Sequence, residues 1–187
     1  MAIAKQFWGA IGCALLLSAA PHRPSQAADS GDVRRFLQTL ECRGCDLSGA
    51  DFRRLDLSGA QLAGANLEGT NFHRARLENV DFGGANLRRA NLSYAIVRSS
   101  SLNSADLRDA ILFAADFSNS SMRDVNLQGA EIEETLFVGA VMLRADMRQA
   151  MVVSTDFSGA VLCGAIRTGG WEYRHDCADA EDLTFDE

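Results

Sequence analysis

The side chains able to do chemistry are few and widely spread. Five cysteines (Cys13, Cys42, Cys45, Cys163, Cys177) and three histidines (His22, His73, His175) are scattered over 187 residues. A nucleophile needs its base within hydrogen-bond reach, and a structural zinc needs four N or S ligands in one small shell. Cys42-Arg43-Gly44-Cys45 has the CxxC spacing of a redox pair or half a zinc site. It lacks the strand-to-helix setting that redox motifs use. No glycine-rich phosphate loop is present, and the many Asp and Asn residues recur too regularly to mark a pocket that would shift their pKa. The expectation is a protein that is not an enzyme, with no catalytic residue, metal ligand or cofactor.

The elements that would position these groups begin after residue 27. Lys5, the apolar run from Phe7 to Ala20 and the small-x-small Ser25-Gln26-Ala27 read as a signal peptide over residues 1–27. The apolar run is too short for a transmembrane helix across ~30 Å of hydrocarbon, so no transmembrane anchor is expected. Export places the chain in the periplasm or outside the cell. The formal net charge is -7 and becomes -9 without that segment, from 16 basic and 25 acidic residues. Such a balance disfavours direct nucleic-acid binding, whose footprint is clustered positive charge.

From Cys45 the chain divides into 24 pentapeptides without insertion: CDLSG, ADFRR, LDLSG, AQLAG, ANLEG and so on to residue 164. The third residue is always Leu, Phe, Met, Ile or Val. The first is Ala in 15 of 24, and the second is Asp or Asn in 13 of 24. Period 5 fits neither a helix nor a flat strand, so the backbone must turn once per unit, and glycine at nine fifth positions suits such turns.

This pattern resembles the pentapeptide-repeat family, commonly written A(D/N)LXX. The resemblance implies an all-β, right-handed quadrilateral β-solenoid with four pentapeptides per turn and the first and third residues inside. Residues 45–164 would make about six coils, roughly 29 Å long at ~4.8 Å per layer. Residues 20 apart then stack: Leu47, Leu67, Leu87, Leu107, Leu127 and Met147 in one interior ladder, Phe117, Phe137 and Phe157 in another. A short helix over Asp32–Leu40 caps the first coil within residues 28–44. Residues 165–187 form a C-terminal hairpin or loop cap and an acidic tail. With the cysteines at opposite ends of such a rod, only Cys42–Cys45 and Cys163–Cys177 can bridge, and a shared zinc site is excluded.

Outside the rod, Glu78 should lie over Arg98, Arg89 over Asp109 and Asp124 over Arg144, while Arg54 and Arg74 stack as like charges. In the later coils the outward positions turn apolar: Leu136, Val138, Val141, Leu143 and Val161, with Ile111, Phe113, Met151 and Val153 on another side. Contiguous exposed apolar surface marks an interaction site. We therefore expect a non-catalytic extracytoplasmic protein-binding or structural scaffold, with an unknown protein partner or a homodimer through these C-terminal coils. Members of the family also occur in the thylakoid lumen, the alternative location. The alternative function, suggested by the family, is a DNA-mimicking rod that binds a nucleic-acid-handling protein such as DNA gyrase.

Overall fold

A computed structural model of the chain describes residues 30–170. The expected signal segment (1–27) lies outside these residues, as do Cys177 and everything from Trp171 on in the expected C-terminal cap.

Each backbone bridge joins a residue to the one 20 positions on, in parallel, from Glu41 with Gln61 to Asp146 with Ile166. The ladder widens to three residues where β1 (Glu131–Glu133) pairs with β2 (Met151–Val153). Twenty residues are four pentapeptides, so the coil has four sides, each a stack of pentapeptides from successive turns. The first side holds those starting at residues 40, 60, 80 and onward. The second starts at 45, the third at 50 and the fourth at 55.

The repeat becomes intelligible once each backbone N–H is given an acceptor. The third-position N–H donates to a carbonyl one turn on, as Leu47 does to Asn66 at 2.8 Å. The fifth does likewise, Gly49 to Glu68, and the second donates one turn back, Asn66 to Cys45. The first closes a tight turn, Ala50 to Leu47 at 3.1 Å. Only the fourth N–H is left over, and the second-position Asp or Asn takes it. Asp46 accepts from Ser48 at 3.0 Å, Asn86 from Arg88 at 3.2 Å and Asp146 from Arg148 at 3.0 Å. The same turn forms at all 13 Asp and Asn residues in second position between 45 and 164. A short acceptor two residues back is what this geometry requires.

The corners impose a second demand. Every fifth position from Gly44 to Gly164 has φ between 50° and 78°, yet 15 of these 25 residues are not glycine. Glycine therefore eases the corner without being a condition for it.

Inside, the Leu47-to-Met147 ladder is at most 3% exposed. Phe117, Phe137 and Phe157 stack with ring centroids 5.4 and 5.2 Å apart. First positions that carry hydroxyls stay satisfied. Thr70 donates to Leu47 O, Ser100 to Leu77 O, Ser120 to Val97 O, Thr135 to Leu112 O and Thr155 to Ile132 O, all within 3.0 Å.

At the N-terminal end α1 (Ser30–Thr39) lies across the open coil. Phe36, fully buried, meets Phe52 edge-on at 5.3 Å and extends the interior ladder to Phe72. Asp32 accepts the Asp46 N–H at 3.1 Å, satisfying an amide of the exposed edge. The coil also runs one pentapeptide beyond each bound read from the motif, 45 and 164. Leu40–Gly44 joins through the Glu41–Gln61 bridge, and residues 165–169 join through Asp146–Ile166. Neither matches A(D/N)LXX, because Cys42 and Arg167 hold their third positions. Backbone pairing at the edge tolerates side chains that an interior rung would not.

Candidate interaction surfaces

Cys42 and Cys45 are joined by a disulfide with Cα atoms 5.4 Å apart, at the corner between the first two pentapeptides. Cys163 is also disulfide-bonded, to a residue outside the described part. The bridged Cys42 and Cys45 are buried, at 2% and 9% exposure, so their sulfurs brace the end of the coil and are not displayed. Among the described residues no cluster of three or more His, Cys, Asp or Glu is placed to hold a metal. No helix there is long and apolar enough to cross a membrane. His73, the one histidine among the described residues, sits on the third side against the edge of Tyr94, 5.6 Å between centroids.

Most surface charge is spent locally. Arg53 pairs with Asp51, Arg108 with Asp106 and Arg148 with Asp146, each two residues apart on one pentapeptide. Bidentate hydrogen bonds from Arg148, opposed in part by burial, hold Asp146 at about 2. Asp116 lies between Ile96 and Leu136 on the fourth side. Burial pushes its carboxyl up, but hydrogen bonds from Arg98 at 2.6 Å and from Ser118 outweigh this and leave it lowered. Of the stacked charge pairs expected from the 20-residue period, Arg144 meets Asp124 at 2.6 Å. Arg89 instead reaches diagonally to Glu68 at 3.6 Å, and Arg98 pairs with Asp116 rather than Glu78. Arg side chains span more than one rung, so strict stacking is only one of their options.

The apolar residues singled out in the sequence divide into two groups. Leu136 (38% exposed), Val138 (36%), Met151 (49%) and Val153 (44%) are surface residues, and Ile111 and Phe113 are half-buried. Val141 and Leu143 are not surface residues, at 4% and 6% exposure. They form a small outer cluster on the first side with half-buried Val161 and Cys163. Val161 and Cys163 pack against them from one rung on, a contact that sequence pattern alone does not reveal. Sequence reasoning missed Ile96 (37%), Tyr94 (44%) and Leu55 (38%). Ile96 follows the same signal, an apolar second position. It lies in line with Leu136 and, with Val138, gives the fourth side an exposed apolar group of its own beside Met151 and Val153 on the third.

A four-sided coil with these corners and ladders is shared with known proteins. Residues 37–112 match the model of a pentapeptide repeat region, and residues 98–129 and 126–164 match that of pentapeptide repeats in eight copies. The chain belongs to the pentapeptide-repeat family. Its solved relatives include HetL, a pentapeptide repeat protein involved in heterocyst differentiation regulation from Nostoc sp. strain PCC 7120. HetL is 30% identical over 71% of this chain and 66% of its own, with a TM-score of 0.50. QnrB1, a plasmid-mediated fluoroquinolone resistance protein, is 25% identical over 68% of this chain and 66% of its own, with a TM-score of 0.49. A pentapeptide repeat protein of the Arabidopsis thaliana thylakoid lumen is 31% identical over 66% of each chain, with a TM-score of 0.29. Among curated proteins nothing matches.

Proposed function

We propose that this pentapeptide-repeat protein is a non-catalytic scaffold of an extracytoplasmic compartment, a right-handed four-sided rod that binds a protein partner through the outer surface of its later coils. The observation that carries the reading is the set of exposed apolar side chains at positions where most other rungs hold Asp, Asn, Arg, Ser, His or Glu: Ile96, Leu136 and Val138 on the fourth side, Met151 and Val153 on the adjacent third. Surface this apolar is retained where a partner covers it. A flat side offers area rather than a cleft, which suits a protein better than a small molecule. The signal-like residues 1–27 and the disulfides at Cys42–Cys45 and Cys163 support an oxidising location. The DNA-mimic reading has less support, because arginines are interleaved with the acids in nine ion pairs along the described surface.

A photo-crosslinking residue at Val138, introduced in the chain as exported by its own host, tests this directly. A discrete adduct that disappears with Leu136→Asp supports the reading. Absence of any adduct at Val138 and at Met151, with the protein folded and abundant, overturns it.

A further inference from the structure

Three sides of the coil intersperse acids and arginines along their length, and the third keeps the two signs at opposite ends. Its six rungs start at residues 50, 70, 90, 110, 130 and 150. Arg53 is paired with its own Asp51 at 2.6 Å. Beyond that pair, the first two rungs carry Arg54, His73 and Arg74, and the fifth carries Glu131, Glu133 and Glu134. None of these five charged residues (Arg54, Arg74 and the three glutamates) has an ion pair among the described residues, whereas each other side holds at least two. Between the two ends runs an edge-to-face aromatic chain, His73 to Tyr94 at 5.6 Å and Tyr94 to Phe113 at 5.3 Å. The Arg74 guanidinium lies over the Tyr94 ring, 5.3 Å from its centroid. Past the glutamates the last rung exposes Met151 and Val153. One side is thus basic at one end, aromatic in the middle, and acidic then apolar at the other end.

We propose that this third side is a self-association surface on which two copies pair antiparallel about a two-fold axis. An isologous interface must be complementary to itself, and segregated opposite charge at the two ends of one flat side meets that condition in the antiparallel direction only. With the axis between the Tyr94 and Phe113 rungs, His73 and Arg74 of each copy face Glu131, Glu133 and Glu134 of the other. Tyr94 meets the Phe113 rung, and Arg54 with half-exposed Leu55 meets Met151 and Val153. A parallel pairing would set arginine on arginine and glutamate on glutamate. The rungs span about 24 Å at ~4.8 Å each, so the area per copy falls below the ~800 Å² of a standard interface. The dimer is therefore weak, concentration-dependent and sensitive to salt. The scaffold reading rests chiefly on Ile96, Leu136 and Val138 of the fourth side and shares only Met151 and Val153 with this surface, so Val138 is where the two are told apart.

Sedimentation velocity on the full chain, isolated in oxidised form, tests the pairing with two charge-reversed variants, Arg54→Glu/Arg74→Glu and Glu133→Arg/Glu134→Arg. The wild type should dimerise at about 500 μM protein in about 50 mM salt and dissociate as salt approaches ~0.5 M. Each variant alone should be monomeric. Mixed one to one they should form a heterodimer, because each then offers the other a complementary end twice. That restoration separates a lost contact from a lost fold. A wild type that stays monomeric, a mixture that stays monomeric, or a dimer abolished by Leu136→Asp/Val138→Asp but not by the arginine reversals overturns the proposal. Crosslinking at Val138 is read independently of all three.

Discussion

The two ends of the coil close differently. At the N-terminal end Phe36, Cys42, Leu47, Phe52 and Leu57 are all at most 2% exposed, and a helix, a disulfide and the Asp32–Asp46 hydrogen bond finish the edge. At the other end Val152, Phe157 and Leu162, which occupy the same third positions, remain half-buried. Between these ends some second positions change from Asp and Asn to Ile, Leu, Met and Val, while Asp116, Asn126, Asp146 and Asp156 keep the turn. A repeat array is held by neighbour-to-neighbour interfaces, so an end with a full interface is anchored and an end without one frays first. The end whose described third positions are half-buried, and which Cys163 ties by its own disulfide, is also the one whose surface departs from the repeat and carries the candidate contacts.

The largest test of this contrast removes the N-terminal anchor. Phe36→Ala deletes a buried ring that touches Phe52 and should cost about 3–4 kcal/mol, read as a lower midpoint in urea unfolding. Phe157→Ala, at the half-buried end, should cost clearly less. Equal losses would mean that the two ends are equivalent in energy, whatever their exposure.

Acid offers a milder way to separate the regions. Asp146 is held at about 2 by Arg148, below its ordinary value of 3.8. A carboxylate whose pKa is lowered by folding contributes stability above its unfolded value and loses it as pH falls through its folded value. The loss should therefore run from about pH 4 to about pH 2. It should amount to roughly 1–2 kcal/mol once screening at the half-exposed Arg148 is allowed for. In the middle coils the same turn is made by Asn66, Asn71, Asn86 and Asn91, which do not titrate. The amide proton shift of Arg148 should follow a titration near pH 2, while those of Arg88 and Ser93 stay flat. A titration at Arg88 would show that acid acts through global loosening.

Much of this fold was legible because one residue in five must be large and apolar and its neighbour small. That rule located the interior ladders, from Leu47 to Met147 and from Phe117 to Phe157, while the cap around Phe36 followed from helical spacing instead. It failed at the two edge pentapeptides, where Cys42 and Arg167 occupy the decisive place and backbone pairing alone recruits the segment. It was silent on why Asp and Asn fill second positions, since the unpaired fourth amide becomes visible only when every other amide has an acceptor. The candidate surfaces were only half legible. Leu136 and Met151 could be recognised as misplaced apolar residues, but the burial of Val141 and Leu143 shows only in the folded coil, where they cluster with Val161 and Cys163. The stacking of Arg54 and Arg74 could be read directly. Their complementarity with Glu133 and Glu134 emerges only when the third side is viewed whole.

A smaller effect tests the second-position turn on its own. Asn86→Ala leaves the buried Leu87 in place and removes the acceptor of the Arg88 amide, so it should cost about 1–2 kcal/mol. Leu136→Asn restores the turn in the apolar region and should be neutral or slightly stabilising, while weakening any contact made through the fourth side. If Leu136→Asn lowered stability as much as Asn86→Ala, Leu136 would be supporting the fold, and the division into a structural half and a displayed half would fail.

The smallest expected effect concerns the corners. Ala114 sits at φ 52° on the third side. A Cβ in the left-handed region costs roughly 1–2 kcal/mol, and glycine gives back about half of that gain through its greater unfolded-state freedom. Ala114→Gly should therefore raise stability by roughly 0.5–1 kcal/mol, visible as a small rise in thermal midpoint. Gly139→Ala should do the reverse and by more, because an added Cβ would also meet Asn119 Oδ1 at 2.7 Å. Such a corner carries a non-glycine residue where the bridge of its own pentapeptide to a neighbouring turn holds it. The strain stored at Tyr94, Ala114 and Glu134 is therefore sustained by the coil, and it fixes the orientation in which the third side presents its aromatic and acidic rungs.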